Sequence, residues 1–422
     1  MTLTTRRPLA AAAFAALLSP APALAAGNVE ASVKSGNLVV TGDAEGNALA
    51  IDQAGLAAGE LRVTPGTGTT LNGEVGLGIF PGITKGLVVN LGEGANDLIL
   101  EDVTLPGDVK VQAGDLADDV FFGGSFGGDA RLSLGDGENN VFFEAGSSLA
   151  GTLRFKGGAG DDDLFLVDGP LVGDAASVGG DLKLDFGDGE NAVFVDPTSS
   201  VGGSVSFKGK NGINSFLLSE GASIGGDLKF TAGEGENFVF LDPMISIAGT
   251  VSFKGGGGPD SFFLNSDAVI AENLKLALGD GVNAAYFDPG STVTGSLTMK
   301  TTNGDDGFYF QGDSAVAGNL KLTLGGGPNE IYFDPTSSVG GDLVVKLGSG
   351  ADTVSLNQVA VTGDARFLLS DGMNGIVCTD TTVGGNLLLK AGSGDDSVDT
   401  TGTTPGGTTK IDAGGGTNTV VP

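Results

Sequence analysis

The chain has 422 residues and a formal net charge of −31, with no His, no Trp, one Cys and 76 Gly. Without His there is no Ser–His or Cys–His nucleophilic centre, no histidine general base and no His-ligated zinc or haem; one Cys allows neither an internal disulfide framework nor a multi-cysteine metal site. Strong acidity argues against nucleic acid and anionic membranes as partners, while 40% apolar residues and 24 Phe supply enough core to fold.

Residues 1–25 read as a secretory signal. Arg6 and Arg7 form a charged start, Leu9 to Leu18 is a short apolar run, and Ala23-Leu24-Ala25 is a small-x-small cleavage pattern. The apolar run is too short to span a bilayer. Cleavage would remove two positive charges and no acid, taking the chain from −31 to −33. These features predict an exported protein, periplasmic, extracellular or held at the cell surface, with no membrane span.

Residues 26–85 hold one repeat-like frame, in which Leu38 and Val40 precede Asn47 and Leu49 and Ile51 follow it. The stretch then becomes rich in Gly and Thr. A stacked array otherwise ends in an open row of backbone donors and acceptors, so 26–85 is expected to be an N-terminal capping segment.

From residue 86 to 422 one unit recurs. A glycine-rich acidic turn ends in Asn or Asp, and an alternating apolar strand follows, as in Gly187-Asp188-Gly189-Glu190-Asn191-Ala192-Val193-Phe194-Val195. The turn residue returns from Asn96 to Asn418, mostly at steps of 22 or 23 residues; the step from Asp162 to Asn191 is longer because Gly169–Ser177 reads as a loop insertion. Three short strands are visible per unit. Leu182, Leu184 and Phe186 alternate with Lys183 and Asp185; Val193 and Val195 alternate around Phe194; a third strand is marked by Val201 and its successors Ile224, Ile247 and Ile270. Asp-Pro corners such as Asp196-Pro197 and Asp242-Pro243 separate them. Short strands at this period, without helical periodicity, predict an all-β fold: a single-stranded parallel β-helix of about fifteen coils, right-handed by its period, with neighbours about 4.8 Å apart.

The turn residue alternates Asn and Asp along the array, Asn214 being the exception. Lysines alternate as well, Lys183, Lys229, Lys275 and Lys321 facing Ser206, Ser252 and Thr298 in the coils between. The true unit is therefore a pair of coils. Stacked like charges repel, and alternation doubles their spacing to about 10 Å and lets an Asn amide donate to an Asp carboxylate.

Two stretches, Gly157–Phe165 and Gly255–Phe263, fit the pattern G-G-x-G-x-D-x-U-x. They resemble the nonapeptide repeats of haemolysin-type calcium-binding proteins. The resemblance implies calcium ligands among Asp161, Asp162, Asp163, Asp305, Asp306, Asp395 and Asp396. That family runs its nonamers back to back, whereas here one occurs per coil and many turns carry Asn. The structural alternative is a corner glycine followed by a rung of the Asn/Asp ladder. Over 86–422 the repeat form resembles exported bacterial β-strand-repeat proteins built as right-handed parallel β-helices, which implies the fold and leaves the function open.

If Val193 and Val195 face inward, Phe194 faces outward. Its equivalents Phe121, Phe142, Phe165, Phe240, Phe263, Tyr286, Tyr309 and Tyr332, with Leu217, form one large apolar stripe over ten consecutive coils. Such a stripe suits stacked sugar rings, another protein or another copy of the rod; the alternative is a ladder of rings packed on one another. No catalytic residues are expected. Arg62, Arg131, Arg154 and Arg366 are scattered, the carboxylates recur in every coil, and only the 169–177 loop, with Asp168 and Asp174, breaks the repeat. Cys378 falls at the inward position of Val195. The reading is a non-enzymatic exported structural or adhesive rod, its outer aromatic stripe the contact face and its acidic turns a solubilising or cation-binding edge, with no cofactor unless calcium binds. Its partner is a surface or extracellular polysaccharide or protein, or the rod itself. The alternative is a polysaccharide-binding or polysaccharide-cleaving β-helix.

Overall fold

The strands of the repeat alternate inward apolar residues with outward ones that are polar on the first face and largely aromatic on the second, and each buries one side. The computed structural model describes residues 27–167, 169 and 175–422. The proposed signal, Asp168 and Asp174 lie outside the described residues. The chain is all-β, with stacked parallel coils forming a β-solenoid of about 14 turns and no helix among the described residues.

Each coil contributes a strand to three faces. On the first, Leu182–Asp185 pairs in parallel with Val205–Lys208, placing Leu182 against Val205 and Lys183 against Ser206. On the second, Asn191–Val195 pairs with Asn214–Leu218 in the same sense, Phe194 against Leu217. The third is the two-residue strand Ser200–Val201, paired with Ser223–Ile224. Near the N-terminal end, Asn96–Leu105 and Asp118–Phe126 run unbroken through the second and third faces, with a register shift between Phe122 and Gly124. Leu182, Leu184, Val193, Val195 and Val201 of one coil all enter the core, as do their equivalents in the coils above and below.

The interior also stacks aromatics. Phe207 and Phe230 lie face to face with centroids 4.4 Å apart, and Phe186 and Phe253 close that row edge-on. Cys378 is buried in the same core, where desolvation pushes its thiol up to about 12 and the Asp399 charge adds to the shift. It behaves as a small apolar residue.

The frame around Asn47 is a coil of the stack. Leu38 lies against Leu87, Leu49 lies against Leu98, and the Asn47 backbone N–H donates to Asn96 Oδ1 at 3.0 Å. Beyond it the strand direction reverses. Gly27–Lys34 runs antiparallel to Asn37–Thr41, and Glu60–Pro65 runs antiparallel to Ala48–Asp52. These strands occupy the outward edges of that coil on the first two faces, where parallel stacking would otherwise continue.

Corners set the coil's perimeter. The residue seven after the ladder position turns left-handed, as at Thr198 (φ 63°) and Met244 (φ 59°). Glycine fills this place at Gly221 and Gly290. The glycine two before the ladder residue is constrained further. Gly189 has φ 133°, and a Cβ there would lie 2.1 Å from the carbonyl oxygen of Gly160 in the previous coil.

Candidate functional site

The ladder residue of each turn lies inside the rod. Asn96, Asp118, Asn139, Asp162, Asn237 and Asp260 are all buried. Each Asn amide donates to the next rung, from Asn96 to Asp118 Oδ1 at 2.7 Å, from Asn139 to Asp162 Oδ1 at 2.8 Å and from Asn237 to Asp260 Oδ1 at 2.7 Å. Where Asn follows Asn the bond persists, Asn191 to Asn214 at 3.1 Å. The amide also reaches the carbonyls of its own turn, Asn237 Nδ2 donating to Gly233 and Gly235. The alternation read from the sequence is thus a hydrogen-bonded file: Asn passes its amide to the next rung, Asp passes its backbone N–H, as from Asp162 to Asn191 Oδ1 at 3.1 Å, and the step from Asp118 to Asn139 leaves Asn139 Oδ1 without a partner.

The Asp rungs differ from the Asn rungs in one atom. Their Oδ1 is used, but the Oδ2 atoms of Asp118, Asp162, Asp260, Asp352 and Asp396 are buried without a partner. At Asp306 the Thr301 hydroxyl donates to Oδ2 at 2.5 Å. Burial pushes Asp118, Asp162 and Asp260 up to about 7; the Asn hydrogen bonds oppose the rise, and repulsion from neighbouring acids adds a smaller part to it. An unfolded Asp titrates near 3.9, so between about 4 and 7 the folded chain holds protons that the unfolded chain has lost. The stability from these rungs is fully present below about 4 and is lost as pH rises through about 7. The variant Asp118→Asn with Asp260→Asn should therefore melt close to the parent at about pH 4 and above it at about pH 9. Thermal midpoints across that range check this; an offset independent of pH would refute it.

The neighbouring acids proposed as calcium ligands do not converge. Asp162, Asp306 and Asp396 are rungs inside the rod, while Asp161, Asp305 and Asp395 point to solvent and Asp163 sits half-buried on the second face. Asp161 Oδ1 accepts the Glu190 N–H at 2.7 Å, Asp163 Oδ1 the Ala192 N–H at 3.0 Å, and Asp395 Oδ1 the Thr417 N–H at 2.7 Å. Among the described residues no group of three or more acids or thiols is arranged to hold a metal ion. The turns therefore do not reproduce the back-to-back calcium cradle of the haemolysin-type repeats.

The aromatic stripe is brought together. Phe121, Phe142, Phe165 and Phe194 form one stack with centroids 4.7, 4.7 and 5.0 Å apart and planes within 6°. After Leu217 a second stack runs through Phe240, Phe263, Tyr286, Tyr309 and Tyr332, at 4.5, 5.0, 4.9 and 6.1 Å. All are half-buried on the outside of the second face except Tyr332, which is exposed. This corrects one expectation for the stripe: each ring face covers its neighbour, so within a stack only ring edges and the tyrosine hydroxyls meet solvent, and sugar rings cannot lie on the stacked faces. Tyr309 donates to Glu330 Oε2 at 2.7 Å; burial and this bond push its phenol above the usual range.

The arginines are less scattered in space than in sequence. Arg131 and Arg154 are register partners in adjacent coils, and both reach Asp129 Oδ2 at 3.1 Å. The Thr152 N–H and these two guanidinium groups hold the Asp129 carboxyl below its ordinary value. Arg62 pairs with Asp52 and Arg366 with Asp364. Comparison with known protein families, with curated proteins and with solved structures finds no match.

Proposed function

We propose that this chain is a non-enzymatic exported rod, a structural or adhesive protein working outside the cytoplasm, with the outer aromatic stripe as its contact face and the acidic turns as a solubilising edge. The observation that carries this reading is the flat file of ring edges along the second face, with rings at every coil from Phe121 to Tyr332 except Leu217. A soluble monomer rarely keeps so long a contiguous apolar strip at its surface. Stacking accounts for the ring faces but leaves the edges open to a partner, either another surface or another rod.

The test is Phe240→Ser with Phe263→Ser in the full chain. Self-association in sedimentation velocity, or retention on a cell surface, should be lost while strand content stays that of the parent. Unchanged association and unchanged retention would sink the reading.

A further inference from the structure

Summed over the chain, charge is strongly negative, but around the perimeter it is sorted. Apart from Lys34, Arg62, Lys85 and Lys210, every Lys and Arg among the described residues lies in a strand of the first face, at a position that alternates with the buried ones. From the strand Leu87–Asn90 to the strand Thr409–Asp412, the only acids within these strands are Asp185 and Asp412. The centre of the array is the clearest part. Lys229, Lys254, Lys275, Lys300, Lys321 and Lys346 come one per coil, alternating between two columns, and all are exposed. None of the six forms an ion pair with the described residues. The positions between them hold Ser252, Thr298, Thr231, Ala277 and Thr323, small and free of aromatic rings.

We propose that this lysine-studded sheet is a binding surface for a linear anionic polysaccharide, one bearing carboxylates along its length. Three physical points support that occupant. The strands of this face stack in parallel from coil to coil, and the charges repeat at the coil spacing of about 4.8 Å, about 10 Å within one column, which suits an extended polymer with regularly spaced anions. At physiological salt the screening length is about 8 Å, so a polymer lying along the middle of this sheet responds first to the ammonium groups beneath it, while the nearest acids, Asp227, Glu272 and Asp342, stand at the corner where the strands begin. Hydroxyls of Ser252, Thr231, Thr298 and Thr323 stand between the lysines as hydrogen-bonding groups for a hydroxyl-rich chain. A single-stranded nucleic acid would want aromatic platforms for its bases, and the exposed positions of this sheet offer none. The site lies on a different face from the aromatic stripe, so it stands whether or not that stripe is a contact surface.

The experiment uses the full chain and polygalacturonate as probe, with dextran and duplex DNA as the other arms, followed by calorimetry or light scattering at physiological salt. The expected result is binding to polygalacturonate and none to dextran. The variant Lys254→Ser, Lys275→Ser, Lys300→Ser and Lys321→Ser, which places at these positions a small side chain like the Thr231, Ser252, Ala277, Thr298 and Thr323 between them, should weaken that binding at least tenfold. The same four positions changed to Arg should keep it. Changing Lys34, Lys85 and Lys210 to Ser also lowers the net charge but leaves the sheet untouched, and should keep binding. Phe240→Ser with Phe263→Ser should keep it too, which separates this site from the aromatic face. No binding by the parent, equal binding to dextran, preference for DNA, or loss in the Lys34, Lys85 and Lys210 variant would each overturn the proposal.

Discussion

Asn237→Ala is expected to cost the rod about 4 kcal/mol, a large share of what a single substitution can remove. Asn237 Nδ2 donates to Gly233, to Gly235 and to Asp260 Oδ1, and its Oδ1 accepts the Asn214 amide at 2.9 Å. The two contacts between rungs lie where water does not reach, because Asn237, Asn214 and Asp260 are fully buried, and the two to the turn carbonyls are part-buried. Alanine removes the donor and the acceptor together. It leaves two turn carbonyls without their amide donor, Asp260 Oδ1 without its side-chain donor, and the Asn214 amide without its next rung. Each stranded group costs about 1–3 kcal/mol, and partial rescue by local adjustment keeps the total nearer the lower sum. Asn237→Asp should be much milder at acid pH, since a neutral carboxylic acid offers one acceptor and one donor in nearly the same shape. Chemical unfolding of the two variants at about pH 4.5 measures the contrast; equal losses would show that packing, not the hydrogen-bonded file, sets the cost.

Gly235→Ala should destabilise by about 3 kcal/mol or more, while Gly221→Ala should cost about 1 kcal/mol, although both glycines have positive φ. Gly235 has φ 124°, a region closed to residues with a Cβ, and an added methyl would lie 2.1 Å from the Gly212 carbonyl oxygen in the adjoining coil. Gly221 has φ 74° and nothing within 4 Å of the new atom. The equivalent corner already tolerates Thr198 and Met244. Strain alone therefore acts at Gly221, and strain plus collision with the neighbouring coil at Gly235. Thermal unfolding of the two variants side by side tests this. Similar losses would mean that the coils can separate locally to admit a methyl group.

Much of the architecture is legible in the sequence because a solenoid repeats its local rules. Period-2 alternation places Val193 and Val195 inside and Phe194 outside, and the structure agrees at each equivalent coil. The Asn/Asp file is legible too, since stacking at a fixed distance turns an alternating letter into an alternating donor and acceptor. Other features need the third dimension. That the rings from Phe121 to Tyr332 cover one another's faces depends on their side-chain torsions, which pattern does not carry. That Asp161, Asp162 and Asp163 point in different directions follows from the strand beginning at Asp162. Net charge argued against polyanions because composition sums the perimeter into one number. It cannot register that nearly all the cations share one sheet.

The hydrogen-bonded file also constrains how such a rod can change length. Its rungs contain neighbouring Asn pairs, as in Asn191, Asn214 and Asn237, but among the ladder positions from Asn47 to Asn418 no Asp stands next to another Asp. An amide can both give and receive, so Asn tolerates either neighbour, whereas two adjoining carboxylates inside the rod would have no donor between them and would have to share a proton. Gain or loss of coil pairs leaves the file intact everywhere. Gain of one Asn coil is tolerated at any junction. Gain of one Asp coil beside an existing Asp rung, or loss of one Asn coil flanked by two Asp rungs, brings two acids together. Growth by duplication is thereby channelled toward Asn coils and Asn–Asp pairs, so the composition of an added block is limited by a hydrogen-bonding rule rather than by the hydrophobic core.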